Sequence, residues 1–399
     1  MDLIATIGGD SLQLNIIEDI QHFHTVTEGK TCINADTCGD LDTKRDNIIV
    51  TRGFEKALKT SGYVKRVYLT VVNGNHIDES HFNPAWLKGF VIVDNQETEW
   101  GCFQILERRT NSEWQYLNLL ENLIFQGKER EGRNGTVLSL FTNHFTFDLR
   151  EGFPLLTTKR MFTRGIIEEF LFFLRGDTNT TSLSEKKIRI WEGNTSEEFI
   201  KSRNLPYIKG VMGPMYGYQW RYFGAKYEID EYGVPSKPSG GVDQLKNIID
   251  MINTNPGSRR IMMTVYNPIQ VDEGVLYPCH SIIIQFYVEG EYLDMFCYNR
   301  SQDTLLGVPY NIASSSLLLS VVAKITNKIP RFLNMTMGDT HLYMSHSEQA
   351  KEQISRIPYS FPTLTLSDSI SMDIHSITVN DFVISEYSHY SSIKADMVI

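Results

Sequence analysis

Several protein classes leave little trace in this sequence. Its five cysteines, Cys32, Cys38, Cys102, Cys279 and Cys297, are scattered and odd in number. None pairs with another at metal-ligand spacing, so neither zinc, nor any other metal, nor a disulfide framework is implied, and a reducing compartment is expected. Positive charge is also short: 38 Lys and Arg stand against 48 Asp and Glu, for a net charge of -10 and a pI near 5.5. A nucleic-acid or anionic-membrane surface is therefore not the main business of the chain, and any bound phosphate has to be held by local arginines. No uninterrupted apolar run approaches the roughly 20 residues of a membrane span. The start, Met1-Asp2-Leu3-Ile4-Ala5, carries an acid at once and lacks a basic region followed by a long apolar core, so no secretory signal is expected. Together these point to a cytoplasmic location. Internal repeats and low-complexity tracts are absent too.

What is there suffices for a large core. With 399 residues, 41% of them hydrophobic, the chain is expected to form two or more domains. The first part alternates short β-rich runs (3–7, 47–51, 67–72, 89–93) with charged stretches such as 54–58, the pattern of a small α/β unit. A boundary is read near Arg108-Arg109, giving units 1–110 and 111–399. Asn111 or Ser112 can cap a helix carrying Leu117, Leu120 and Ile124 on one face, and Gly127 stops it. Further on, the pattern predicts a helix over 165–174, strands over 261–266, 281–288 and 292–298, an apolar helix over 312–325 and a surface loop over 227–241. Consecutive strands without crossover helices favour an α+β layer with an antiparallel component.

Chemistry concentrates around Leu276-Tyr277-Pro278-Cys279-His280. A polar stretch, Tyr298-Asn299-Arg300-Ser301-Gln302-Asp303, follows closely and continues through Gly307-Val308-Pro309-Tyr310-Asn311. A cysteine attacks as thiolate, and nearby guanidinium groups can draw its pKa from about 8.5 into the range of roughly 3.5–7.5. The competing reading of Cys279 is a buried structural cysteine. Arg259-Arg260 precede one strand, Arg300-Ser301 follow another and Arg133 lies in a turn-like Gly132-Arg133-Asn134-Gly135; several such forks with a hydroxyl suit a dianionic phosphate, although each alone reads as a surface charge. Glu169 shares its helix side with Ile166, Phe172 and Phe173, which raises its pKa towards a value useful for proton transfer; the alternative is a helix-edge ion pair. Asn311 offers donor and acceptor to a uracil edge, or else caps a helix. His341 and Tyr343 alternate on one strand face and either hold a sugar hydroxyl or form a plain polar face.

These residues resemble thymidylate synthase over about 114–399. The resemblance is carried by Arg133-Asn134-Gly135-Thr136, Phe153-Pro154-Leu155-Leu156-Thr157-Thr158-Lys159, 169–177, Ile190-Trp191, Gly213-Pro214-Met215-Tyr216-Gly217, Ser258-Arg259-Arg260, Pro278-Cys279-His280, 300–314 and 338–343. It implies the α+β fold of that family, a mixed sheet with helices that dimerises through the sheet, and reductive methylation of dUMP to dTMP with 5,10-methylenetetrahydrofolate as co-substrate, leaving dihydrofolate. Cys279 would add to uracil C6, Glu169 would organise proton transfers, and Tyr216 and His280 would support the nucleophile. Arg133, Arg300 and Ser301 would bind the phosphate together with Arg259 and Arg260 of a second subunit in a homodimer. Asn311 would select uracil, His341 and Tyr343 the 3′-hydroxyl. Asp303, Ile190, Trp191, Gly307, Tyr310 and the C-terminal Ile399 would form the folate site.

Residues 1–110 look like a shortened dihydrofolate reductase, placed as in the bifunctional reductase–synthase proteins. Its phosphate loop survives only as Ala35-Asp36-Thr37-Cys38 and its Gly-Gly turn as Val72-Asn73-Gly74, so NADPH binding and reductase activity are not expected. Within the synthase part Val211, Tyr266, Tyr277 and Tyr310 stand where the family has Asp, Trp, Pro and Phe; the expected consequence is altered folate affinity or loop geometry, with the chemistry retained. Two other readings remain open: a deoxyuridylate hydroxymethylase of the same superfamily, and a non-catalytic protein that binds dUMP and folate.

Overall fold

The computed structural model describes residues 111–132, 134–356 and 358–398, together with five strands nearer the N-terminus: β1 (Asp2–Ile7), β2 (Asn47–Ile49), β3 (Arg66–Val72), β4 (Phe90–Thr98) and β5 (Gly101–Arg108). These five form one mixed sheet in the order β2-β1-β3-β5-β4, with β1 parallel to β2 and β3 and with β5 antiparallel to its neighbours. Four of them coincide with the β-rich runs of the sequence, and β5 is additional. Segments 35–38 and 54–58, like Cys32 and Cys38, lie outside the described residues. Contacts divide the chain into Met1–Thr110 and Asn111–Ile399.

The second unit is built on a six-stranded sheet ordered β6-β7-β11-β10-β9-β8, from β6 (Lys128–Gly132), β7 (Gly135–Asp148), β8 (Met262–Thr264), β9 (Ile283–Glu289), β10 (Tyr292–Asp303) and β11 (Ile329–Tyr343). Every pairing is antiparallel except β10 with β11. That parallel pair needs a crossover, supplied by the helix Gly307–Ile325. The three strands expected to run consecutively, β8, β9 and β10, do so as antiparallel neighbours, and the crossover lies beyond them. Strands alternate faces, so Leu293, Met295 and Cys297 of β10 meet Leu333, Met335 and Met337 of β11 in the core.

Eight helices complete this unit among the described residues: α1 (Trp114–Gln126), α2 (Thr163–Arg175), α3 (Thr181–Glu185), α4 (Glu197–Ser202), α5 (Gly217–Tyr222), α6 (Gln244–Thr254), α7 (Gly307–Ile325) and α8 (Ser347–Ile354). A two-strand ribbon, β12 (Thr363–Leu366) with β13 (Phe382–Ser385), follows. Helix α7 is apolar on all sides because it is buried on all sides, packed on β10, β11 and α2. By length and a hydropathy of 1.3 it would suit a membrane span, but its burial accounts for that composition. Its buried Ser316 and Ser320 hydroxyls return to carbonyls four residues back, each at 2.8 Å, so no polar group is stranded.

Two expectations about helix ends need correction. The first position before α1 is Glu113, whose side chain makes no cap; Asn111 Oδ1 instead accepts from Glu113 N at 2.8 Å, while Gly127 ends the helix as expected. Helix α7 begins five residues earlier than predicted, because Pro309 falls in its first turn, where a missing N–H costs nothing. Asn311 is therefore inside the helix and is not its cap.

Candidate active site

Cys279 sits on the loop entering β9, beside the C-terminal part of β10. Its carbonyl accepts from Arg300 N at 2.8 Å and Ser301 N at 3.3 Å, which fixes the nucleophile against the strand carrying the phosphate candidates. Asn299, fully buried, accepts Ser281 N at 2.7 Å and holds the loop from behind; Ser281 adopts a positive φ of 51°. Arg300 Nε donates to Pro278 O at 3.2 Å, so its guanidinium is tied to the cysteine loop.

Tyr216 comes to Cys279 from the other side. It precedes α5 with φ 38° and ψ -102°, a sparsely populated conformation of the kind that persists where packing over-determines it. Gly217 makes that packing possible: a Cβ there would lie 2.1 Å from Phe173 O, so only glycine lets α5 meet the end of α2. The Tyr216 hydroxyl accepts Cys279 N at 3.2 Å and lies 3.4 Å from Cys279 Sγ. With its lone pair used by the backbone, its single proton is free to be donated to sulfur. His280 stacks on the Tyr216 ring at 4.4 Å and 17°, and burial lowers its pKa to about 4, so it is neutral and adds no positive charge.

Behind Tyr216, the Trp191 ring lies 6.1 Å away, and Trp191 Nε1 donates to Glu169 Oε1 at 2.7 Å. Removal from water lifts Glu169 to about 7 and this hydrogen bond only partly offsets it. The helix-edge ion pair belongs instead to its neighbour Glu168, which Lys186 engages at 2.6 Å. Glu169 is left as a carboxylate whose charge is in balance near neutral pH.

The sequence expectation fails for the nucleophile itself. Burial pushes the Cys279 thiol up, and the Tyr216 hydrogen bond and Arg300 charge, which pull it down, do not outweigh it. Counting guanidinium groups in the sequence took no account of desolvation.

A cleft of about 700 Å³ opens over Cys279, Arg300, Ser301, His341 and Tyr343. The parallel register of β10 and β11 sets Ser301 beside Asp339 and Asp303 beside His341, which is why two separate motifs meet here. Asp339 was not singled out from sequence, yet it accepts from Arg130 at 2.9 Å and faces His341 Nδ1 at 3.1 Å. Its spacing of two from His341 on one strand was the available signal. Gln302 was likewise missed: it accepts Asn311 Nδ2 at 2.8 Å and its amide reaches Cys279 O at 3.4 Å, linking the uracil candidate to the nucleophile's loop.

Asp303 Oδ1 is occupied by Leu305 N and Leu306 N, both at 3.0 Å, and opens the turn before Gly307 and α7. Ile190 and Tyr310 are half-buried against the core, and Glu169 lies near enough to Tyr310 to raise its hydroxyl further above the value set by burial. Arg259 and Arg260 are exposed ahead of β8 and do not line the cleft of their own chain. Arg133 and Ile399 lie outside the described residues. Among the described residues Cys102, Cys279 and Cys297 are free, and no cluster of three metal-ligating side chains occurs.

Residues 114–399 match the family model for thymidylate synthase. The chain belongs to the thymidylate synthase family. Thymidylate synthase of Saccharomyces cerevisiae is 43% identical over 309 residues, covering 74% of this chain and 99% of the yeast protein. The bifunctional dihydrofolate reductase-thymidylate synthase of Plasmodium chabaudi is 43% identical over 297 residues, 74% of this chain and 50% of that protein. The maize bifunctional protein is 42% identical over 328 residues, 81% of this chain and 62% of its own length. The chain thus spans about half to three fifths of these bifunctional relatives. The synthase-family unit has the mixed sheet with covering helices expected from the resemblance.

Proposed function

We propose that the chain methylates dUMP reductively to dTMP, with 5,10-methylenetetrahydrofolate as co-substrate. The observation that carries this reading is the continuous array Glu169–Trp191–Tyr216–Cys279, which opens at Cys279 onto a cleft lined by Arg300 and Ser301 of β10 and by His341 and Tyr343 of the adjacent β11. The Cys279 thiol releases its proton to water in the open cleft, the Tyr216 hydroxyl and Arg300 stabilise the resulting thiolate, and as sulfur bonds to C6 the C5–C6 π pair moves to the C4 carbonyl oxygen. Asn311, oriented by Gln302, reads the uracil edge. Glu169, held near neutrality, moves protons at the ring and its substituent. The co-substrate supplies the one-carbon unit and the hydride; buried Trp191 and half-buried Tyr310 lie near Glu169, and with half-buried Ile190 they offer apolar surface suited to its ring system.

The working assembly on this reading is a homodimer formed through the sheet. Met262, Ile283 and Tyr287 share the outer face of β8 and β9 and are 45%, 37% and 63% exposed, an apolar patch that a second copy would cover. Arg259 and Arg260, exposed just ahead of β8, then serve the partner's phosphate site. Residues 1–110 we read as a reductase-like unit that does not bind NADPH. Incubation with dUMP and methylenetetrahydrofolate is expected to give dTMP and dihydrofolate in equal amounts; no dTMP at saturating substrates refutes the proposal, and a heavier hydroxymethyl nucleotide with tetrahydrofolate assigns the other reaction.

A further inference from the structure

The cleft has more positive charge than the residues named so far provide. Three arginines line it among the described residues: Arg130, Arg203 and Arg300. Arg130 is neutralised by Asp339 at 2.9 Å. Arg300 is spent on neutral carbonyls, at 3.2 Å from Pro278 O and 3.4 Å from Tyr277 O, and keeps its charge for a ligand. Arg203 has no ion pair at all among the described residues, and its buried Nε has no hydrogen-bond partner. A guanidinium left uncompensated on a cleft wall is costly unless an anion arrives.

The position of Arg203 is defined by Tyr277. Arg203 ends α4, and its guanidinium carbon lies 5.8 Å from the centre of the Tyr277 ring. The Tyr277 hydroxyl donates to Asp272, which pins the ring, while the carbonyl of the same residue receives Arg300 Nη2. One residue, two positions before Cys279, therefore carries a guanidinium on its ring and another on its backbone. Of the two acids lining the cleft, Asp339 pairs with Arg130 and Glu131 accepts from Thr136 at 2.9 Å, and neither forms an ion pair with Arg203 or Arg300.

We propose that Arg203 is a further phosphate-binding residue of the nucleotide cleft, held on Tyr277 so that it and Arg300 close on the dUMP phosphate from the same side. This rests on the reading of the cleft as a dUMP site and adds to it a contact from α4. Removing one charge-assisted contact to a dianion is expected to weaken binding about tenfold.

The test is calorimetric titration of the full chain with dUMP and with deoxyuridine, which lacks the phosphate. Arg203→Gln is expected to weaken dUMP about tenfold and leave deoxyuridine unchanged, narrowing the preference for the phosphorylated ligand; Arg203→Lys is expected to restore part of it. Equal losses for both ligands show a role in folding the loop only and overturn the inference, as does an unchanged preference. A loss confined to the folate KM moves Arg203 to the co-substrate's carboxylates and also overturns it. A wild-type chain that binds neither ligand refutes the dUMP reading itself, a result distinct from a wild type that prefers dUMP while the variant does so equally.

Discussion

Glu169→Gln exchanges a carboxylate for an amide of the same shape, and the variant carbonyl still accepts Trp191 Nε1. The folded-state pKa of Glu169 lies above its unfolded value, 4.5 rising to about 7, so ionising it inside the fold costs stability. The cost is complete above the folded value and fades as pH falls towards the unfolded one. At about 1.36 kcal/mol per unit, the shift corresponds to at most about 3 kcal/mol at pH 8, and partial access of the side chain to solvent brings the expected gain to about 1–2 kcal/mol. The variant should therefore be more stable than wild type at pH 8, with at least half of the gain lost by about pH 4.5. Urea unfolding at the two pH values measures this through a changed midpoint at constant slope. Turnover should fall by roughly 10²–10⁴, the usual worth of a positioned acid or base. A variant no more stable than wild type at pH 8, or a gain independent of pH, refutes the claim that burial governs this carboxylate.

Two further outcomes follow from the same geometry. Because burial holds the Cys279 thiol above its ordinary value, alkylation by iodoacetamide, scored at Cys279 by peptide mass, should be slow at pH 7 and climb steadily beyond pH 9; Tyr216→Phe, which removes the proton offered to sulfur, should slow it further, and a rate already at plateau by pH 7.5 contradicts the assignment. Tyr287→Asp places a charge on the exposed apolar face of β9 and should shift sedimentation from dimer to monomer with loss of turnover, whereas an active dimer with unchanged sedimentation argues against assembly through this face.

The sequence made the order of elements around the site legible because each element there has a local cause. Gly127 ends α1, and the β-rich runs became strands. His341 and Tyr343 alternate on β11 as their spacing of two requires. Pairing was not legible. That Ser301 lies beside Asp339 depends on the parallel register of β10 and β11, set by a crossover helix whose start was misplaced by five residues. The long strand β7 was also missed, since its run from Gly135 to Asp148 mixes Thr, Asn and His among the apolar positions. Tyr216 entered only through the resemblance, for nothing local in Gly213-Pro214-Met215-Tyr216-Gly217 announces that its hydroxyl ends 3.4 Å from sulfur.

The nucleophile shows most clearly where sequence reasoning stops. Guanidinium groups can be counted in a sequence, but their effect on a thiol depends on distance and on how much water the thiol has lost. Within the single chain Arg300 and the Tyr216 proton pull Cys279 down and desolvation prevails. Arg259 and Arg260, the residues that would add charge, are exposed and do not line the cleft of their own chain. On the proposed reading the missing charge comes from the second copy, so covering Met262, Ile283 and Tyr287 and completing the phosphate site are one event. A nucleophile that stays a thiol until partner and nucleotide are both in place is protected from idle alkylation and oxidation, because the thiolate is the reactive form. The raised pKa of the lone protomer, which contradicted the sequence expectation, is on this reading the resting state of a site that assembly and the bound nucleotide complete.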